Sequence, residues 1–231
     1  MDTFRMSDKL RSGYDRLAPW YQTIERLRFG NTLDRARVSL LSALCKESKQ
    51  LRKQGPLEVL FLGDGDGRLL AAFLGVFPTA SVTSVDVSTK MVAFQKRRLE
   101  RLGMDDRVHW IVDSVMSVEL PSARFDIVIT SFFLDCFDER EMSQVVSRVA
   151  TWGCPQAIWY LVDFHEPDQG LRRIWAQFWL FLMHIFFRWQ TGLSTQRIVD
   201  PRPLLESMGF QELMEQRLHF DMIRAILFRR V

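Results

Sequence analysis

The chain has 231 residues, is 47% hydrophobic and carries a formal net charge of +3. That is enough for one sizeable core, and the near balance of charge excludes the strongly basic surface of a nucleic-acid-binding protein, so no nucleic-acid partner is expected. Cys45, Cys136 and Cys154 form no CxxC pair, so no metal site and no disulfide framework is indicated, and a reducing cytoplasm is the default.

The opening "MDTFRMSDKLRSGYDRL" lacks the apolar stretch of a signal peptide. The stretch "LDRARVSLLSALCKESKQL" puts Leu33, Ala36, Leu40, Leu41 and Leu44 on one face and predicts a helix. Gly55–Pro56 ends that region, so residues 1–55 read as a helical segment and 56–231 as the main domain.

From there strands and helices alternate. "LEVLFLG" predicts a strand and "GRLLAAFLGVF" a helix. "SVTSVDV" predicts the next strand, with Ser88 as N-cap of "TKMVAFQKRRLERLG". "RVHWIVD" and "FDIVITSFF" are further strands, and "DEREMSQVVSRVATWG" is an amphipathic helix. "QAIWYLVDF" is a fifth strand, followed by the aromatic helix "IWAQFWLFLMHIFFRW", which is too short to span a bilayer. A short helix in "PRPLLESMGF" precedes a terminal antiparallel pair, "QELMEQRLHF" and "MIRAILFRR". Continuous apolar strands between helices predict an α/β domain with a doubly wound, mostly parallel sheet. Ligands in such sheets bind at the carboxyl ends of the strands.

The loop "GDGDG" occupies such an end. Gly63, Gly65 and Gly67 allow positive φ and close approach of a ligand to the backbone. The spacing is one residue shorter than a dinucleotide loop, and Asp64 and Asp66 would oppose a pyrophosphate. A ligand with a carboxylate and a cation suits the loop better. Asp86 ends the second strand, where an acid can hold two ribose hydroxyls, and Asp113 ends the third, where it can accept from an exocyclic amine. Met91 lies on the opening turn of the following helix, suited to the face of a flat base.

With these pieces in this order, the chain resembles the class I S-adenosylmethionine-dependent methyltransferases over roughly residues 56–231, carried by "VLFLGDGDG", "SVDVSTKM", "WIVDS" and "FDIVITSFFLDCF". The resemblance implies a seven-stranded sheet with a reversed last strand under an N-terminal helical lid. It implies S-adenosyl-L-methionine as cofactor, bound by Gly63 to Gly67, Asp86, Val87, Met91, Asp113, Ser114 and Thr130. The family's usual acid two positions before the first loop glycine is here Phe61, which leaves Asp64 or Asp66 to face the methionine ammonium.

The expected activity is methyl transfer to a small, hydrophobic acceptor. The alternatives are aminopropyl transfer or another non-methylating reaction, and an inactive cofactor-binding partner subunit. His165, Asp135 and Tyr14 are candidate catalytic residues, the first two as bases and Tyr14 from the lid sequence. Tyr21, Phe133, Trp179 and His184 are candidate acceptor contacts. The aromatic helix has more apolar surface than one core face buries, so its outer side is expected to meet the acceptor, a membrane surface or a second copy of the chain.

Overall fold

A computed structural model describes residues 31–51, 55–165 and 199–231. The order is α1 (Thr32–Val38), α2 (Leu41–Ser48), β1 (Glu58–Leu62), α3 (Arg68–Val76), β2 (Ser81–Asp86), α4 (Thr89–Glu100), β3 (Val108–Val112), β4 (Phe125–Ser131), α5 (Glu139–Trp152), β5 (Gly153–Phe164), α6 (Arg202–Ser207), β6 (Phe210–Leu218) and β7 (Ile223–Arg230). The seven strands form one sheet in the order β3-β2-β1-β4-β5-β7-β6. β3, β2, β1, β4 and β5 run parallel. β7 enters antiparallel between β5 and β6, which is the expected reversal of the last strand.

Both faces of the sheet are covered. Alternate residues of the central strands feed two cores: Val59, Phe61, Ile127, Ile129, Ile158 and Tyr160 pack with α1, α2 and α3. Leu60, Leu62, Val128, Trp159 and Leu161 pack with α5 and α6. This period-two division is why these strands read as unbroken apolar runs. Phe61 belongs to the first core, with its ring edge-on to Phe73 at 5.3 Å.

Local signals set the helix ends. The side chain of Ser88 accepts from Met91 N–H and caps α4, as expected. Asp138 and Glu141 cap α5 reciprocally. The single helix expected over 33–51 is instead two. The buried hydroxyl of Tyr160 accepts from Leu40 N–H at 3.3 Å and donates to the Arg37 carbonyl at 2.8 Å. A side chain from β5 thus occupies backbone groups at the α1–α2 junction, and burial pushes its phenol up to about 12. β5 begins at Gly153, three residues before its apolar run, because Gly153 pairs with Phe125 beyond an irregularity in the β4–β5 register.

Candidate active site

β1 sits between β2 and β4, so the chain leaves it to one side and later returns on the other. A cleft lies over this switch point, as the rule for open α/β sheets requires. It has a volume of about 800 Å3 including its open mouth. The glycine loop, the ends of β2 and β3, and the turn after β4 line it.

Gly63, Gly65 and Gly67 all have positive φ, at 64°, 64° and 83°. Their neighbours fix them further. A β-carbon on Gly63 would overlap the Phe133 ring, and one on Gly67 would sit 3.0 Å from the α-carbon of Gln95. Gln95 is fully buried and holds the loop from beneath: its Nε2 donates to the Gly65 carbonyl at 2.9 Å, and its Oε1 accepts from Ser84 Oγ at 2.8 Å. A polar residue in the apolar stripe of Met91, Val92 and Leu99 was the sequence signal for this bracket.

The loop's two acids have different fates. Asp66 accepts from Arg68 Nε at 2.8 Å and from Arg98 Nη2 at 3.0 Å. Its carboxylate is therefore a loop-to-helix tie, and it is no longer a candidate for the ligand's ammonium. Asp64 is buried, and its Oδ2 accepts from Leu70 N–H at 3.1 Å at the start of α3. Its Oδ1 is equally buried and has no hydrogen-bond partner among the described residues. Burial pushes the Asp64 carboxyl up to about 7, and the charges of Asp66 and Asp86 add to this. The Leu70 amide and the Arg37 cation oppose it.

Asp86, Val87, Met91, Asp113 and Ser114 all reach the cleft, as expected. Asp86 is buried and accepts from Ser88 N–H at 2.9 Å. The Asp113 amide donates to the Asp86 carbonyl at 3.2 Å, which sets the two acids on adjoining strand ends. Asp113 Oδ1 accepts from Ser114 N–H at 2.7 Å and Ser117 Oγ at 2.6 Å. Thr130 does not reach the cleft. It is buried and accepts from Trp159 Nε1 at 2.9 Å, a contact inside the second core.

The turn after β4 forms the aromatic end. Phe132 has φ of 51°, a conformation that costs a non-glycine residue about 1–3 kcal/mol. Its amide donates to Val162 carbonyl at 2.7 Å, and the Arg37 guanidinium lies 5.0 Å from its ring centre. The kink sends Phe132 toward the first core and Phe133 toward the second. Phe132, Phe133, Cys136 and Phe137 all line the cleft. Asp163, buried at the end of β5, accepts from Leu134 N–H at 3.1 Å and Asp135 N–H at 3.2 Å, and its other oxygen accepts from Phe164 N–H at 3.0 Å. Burial, first, and the adjacent Asp135 carboxyl, to which it is hydrogen-bonded, push Asp163 well above the ordinary carboxylate range. Cys136 Sγ lies 3.6 Å from Asp135 Oδ1. The strand-end apolar run hid this pair, since only the fold brings residues 135 and 163 together.

His165 falls elsewhere. It is buried beyond Asp163, its amide bonded to the Met222 carbonyl at 2.8 Å. Burial and then the Arg224 cation lower its basicity, against the charges of Asp221 and Asp200. It does not line the cleft, so its expected role as the base has no geometric support. Tyr14, Tyr21, Trp179 and His184 lie outside the described residues, as does the aromatic helix.

Residues 59–155 match the family model of a methyltransferase domain. The chain has the fold of the methyltransferases. No curated protein matches the chain. Among solved structures, the chain is similar to magnesium protoporphyrin IX methyltransferase (ChlM) from Synechocystis with bound S-adenosylhomocysteine, at 17% identity and a TM-score of 0.67 over 98% of this chain and 100% of the other. It is similar to the 1,6-didemethyltoxoflavin-N1-methyltransferase of Burkholderia thailandensis, at 17% identity and a TM-score of 0.64 over 94% and 87%. The [4+2]-cyclase SpnF is also similar, at 16% identity and a TM-score of 0.58 over 81% and 80%. At these identities the likeness is one of fold. Among the described residues, no helix is long and apolar enough to cross a membrane.

Proposed function

We propose that this chain binds S-adenosyl-L-methionine and transfers its methyl group to a small acceptor with an apolar body and one ionisable O–H or N–H. The observation that carries the reading is one cleft that gathers Gly63, Gly65, Asp86, Met91 and Asp113 at one end and Phe132, Phe133 and Phe137 at the other.

The residues fit the cofactor. Gly63 and Gly65 bring main chain to the wall of the cleft, where it can meet an amino-acid carboxylate. Asp86 has a carboxylate at the cleft for ribose hydroxyls, and Met91 lines it beside the site expected for a flat base. When bound, S-adenosyl-L-methionine supplies a methyl group already activated on a sulfonium.

The chain then has to orient the acceptor and receive a proton. Orientation alone supplies effective molarities of about 10⁵–10⁸ M, so a positioned acceptor needs little further help. The three phenyl rings exclude water and grip an apolar body. Asp135 is the neighbour in sequence of Cys136, which lines that end, and its carboxyl is hydrogen-bonded to Asp163, which burial keeps protonated well above the ordinary carboxylate range, leaving Asp135 to take up the proton. We assign Asp135 as proton acceptor and Asp163 as its positioning residue.

The fold also serves a cyclase, as SpnF shows, so product identity has to be measured. Incubation with methyl-labelled S-adenosylmethionine and a panel of aryl alcohols and amines tests the proposal. Label in an acceptor supports it. Tight cofactor binding with acceptor conversion and no label transfer favours the non-methylating alternative.

A further inference from the structure

Phe133 stands where the two ends of the cleft meet. It lines the cleft with Gly63, Gly65 and Asp86 on one side and with Phe132 and Phe137 on the other. Its ring packs against the Gly63 main chain so closely that a β-carbon there would fall 2.4 Å from a ring carbon. The Phe137 ring meets it at 5.2 Å and 73°, which restrains its plane. Phe132 is engaged differently. Its ring has the buried Arg37 guanidinium 5.0 Å from its centre and the Phe164 ring at 4.8 Å. The charge of the cleft wall is also one-sided. Asp86 and Asp113 line it, and among the described residues no lysine, arginine or histidine does.

We propose that Phe133 recognises the sulfonium of S-adenosyl-L-methionine, so that the cleft holds the charged methyl donor in preference to the neutral thioether left after transfer. The inference rests on the cleft being an S-adenosyl site, as set out above. In that reading the ribose lies at Asp86 and the amino-acid carboxylate at the main chain of Gly63 and Gly65. The sulfur joins these two parts of the ligand, and its methyl has to point to the aromatic end. The way from one end to the other passes the Phe133 ring, because that ring rests on Gly63. The face of a phenyl ring attracts a ligand cation within about 6 Å of its centre, and more strongly where water is excluded. A carboxylate in contact with the methyl would itself be a nucleophile, whereas a phenyl ring offers attraction without a competing acceptor.

The attraction ends with the reaction. The acceptor's lone pair forms the new bond to the methyl carbon, the C–S pair returns to sulfur, and the positive charge passes to the acceptor, which sheds it as a proton. The thioether that remains has no charge for the ring to hold, so the cleft releases S-adenosylhomocysteine more readily than it releases the donor.

The test compares the affinities of S-adenosylmethionine, S-adenosylhomocysteine and sinefungin, whose protonated amine stands where the sulfonium does. Calorimetry on the wild-type protein should show both cations binding roughly three- to thirtyfold more tightly than the thioether. A trifluorinated phenylalanine introduced at position 133 keeps the shape of the ring and strips its face of negative potential. Phe133→Leu removes the ring. Both replacements should shrink the preference for the cations toward unity, with the thioether affected less than either cation. Equal affinity for the three ligands in the wild type overturns the inference and leaves the cofactor reading intact. So does a preference that survives replacement, or a loss shared equally by all three ligands, which would give Phe133 a packing role alone. The fluorinated variant decides the matter if Phe133→Leu does not fold. Failure of all three ligands to bind the wild type overturns the cofactor reading itself, and this inference with it.

Discussion

Gly63 lies directly beneath the ring of Phe133, so close that no β-carbon fits between them. The contact joins the cofactor end of the cleft to its aromatic end, since both residues line it. Gly63→Ala therefore has two consequences. The left-handed backbone at φ of 64° costs a residue with a β-carbon about 1–2 kcal/mol. The new methyl also drives Phe133 outward into the cleft. We expect S-adenosylhomocysteine binding to weaken by at least tenfold, with a modest fall in melting temperature. Gly63→Ala/Phe133→Ala should recover binding relative to Gly63→Ala, since it removes the ring that clashes. Calorimetry on both variants checks this, and equal weakening in the two would locate the defect in the backbone alone.

Gln95 supports the same loop from the other side. Gln95→Leu keeps the volume but removes the donor to Gly65 and the acceptor for Ser84. Two buried polar groups then lose their partners, and leaving a buried group unsatisfied costs about 1–3 kcal/mol. We expect a loss of stability in that range by denaturant unfolding. Amide hydrogen exchange should speed up at Gly65 and Gly67 more than at β5. A uniform increase across the sheet would show that Gln95 supports the fold as a whole and not the loop.

The carboxyl pair gives a pH signature. The folded protein holds the Asp163 proton well above the range at which the unfolded chain releases it. Between those two points the unfolded state binds fewer protons, so stability must fall as pH rises from the ordinary carboxylate range upward. Asn at this position mimics the protonated acid: its oxygen can accept from the Leu134 and Asp135 amides, and its NH₂ can donate to the Asp135 carboxylate. Asp163→Asn should therefore flatten the fall in stability with pH, at a pH-independent cost of about 1–3 kcal/mol for the Phe164 amide, whose acceptor oxygen it removes. Urea unfolding at a series of pH values measures it. An unaltered slope would mean that Asp163 is ionised in the folded state.

Residue order alone made much of this protein legible. The apolar runs of β1 to β5 were visible because a parallel sheet covered on both faces needs side chains of one kind on every residue. Ser88 and the loop glycines were visible because capping and positive φ are local demands, met within a few residues of chain. Asp86 and Asp113 were placed at the cleft because the end of a strand is itself a location in such a sheet. The roles of the remaining charges depended on distance across the fold. Asp66 is taken by Arg98, which lies 32 residues further along, and Thr130 by Trp159 on the neighbouring strand. His165 does not line the cleft and has its amide bonded to Met222, and Asp163 meets Asp135 only because β4 and β5 lie side by side. Tyr160 divides a continuous amphipathic stretch into α1 and α2 from across the first core. A sequence states which groups a backbone carries and which local shapes it prefers. Which carboxylate stays free to meet a ligand is decided by which cations and amides the packed sheet and helices bring within hydrogen-bonding distance, and those come from anywhere in the chain.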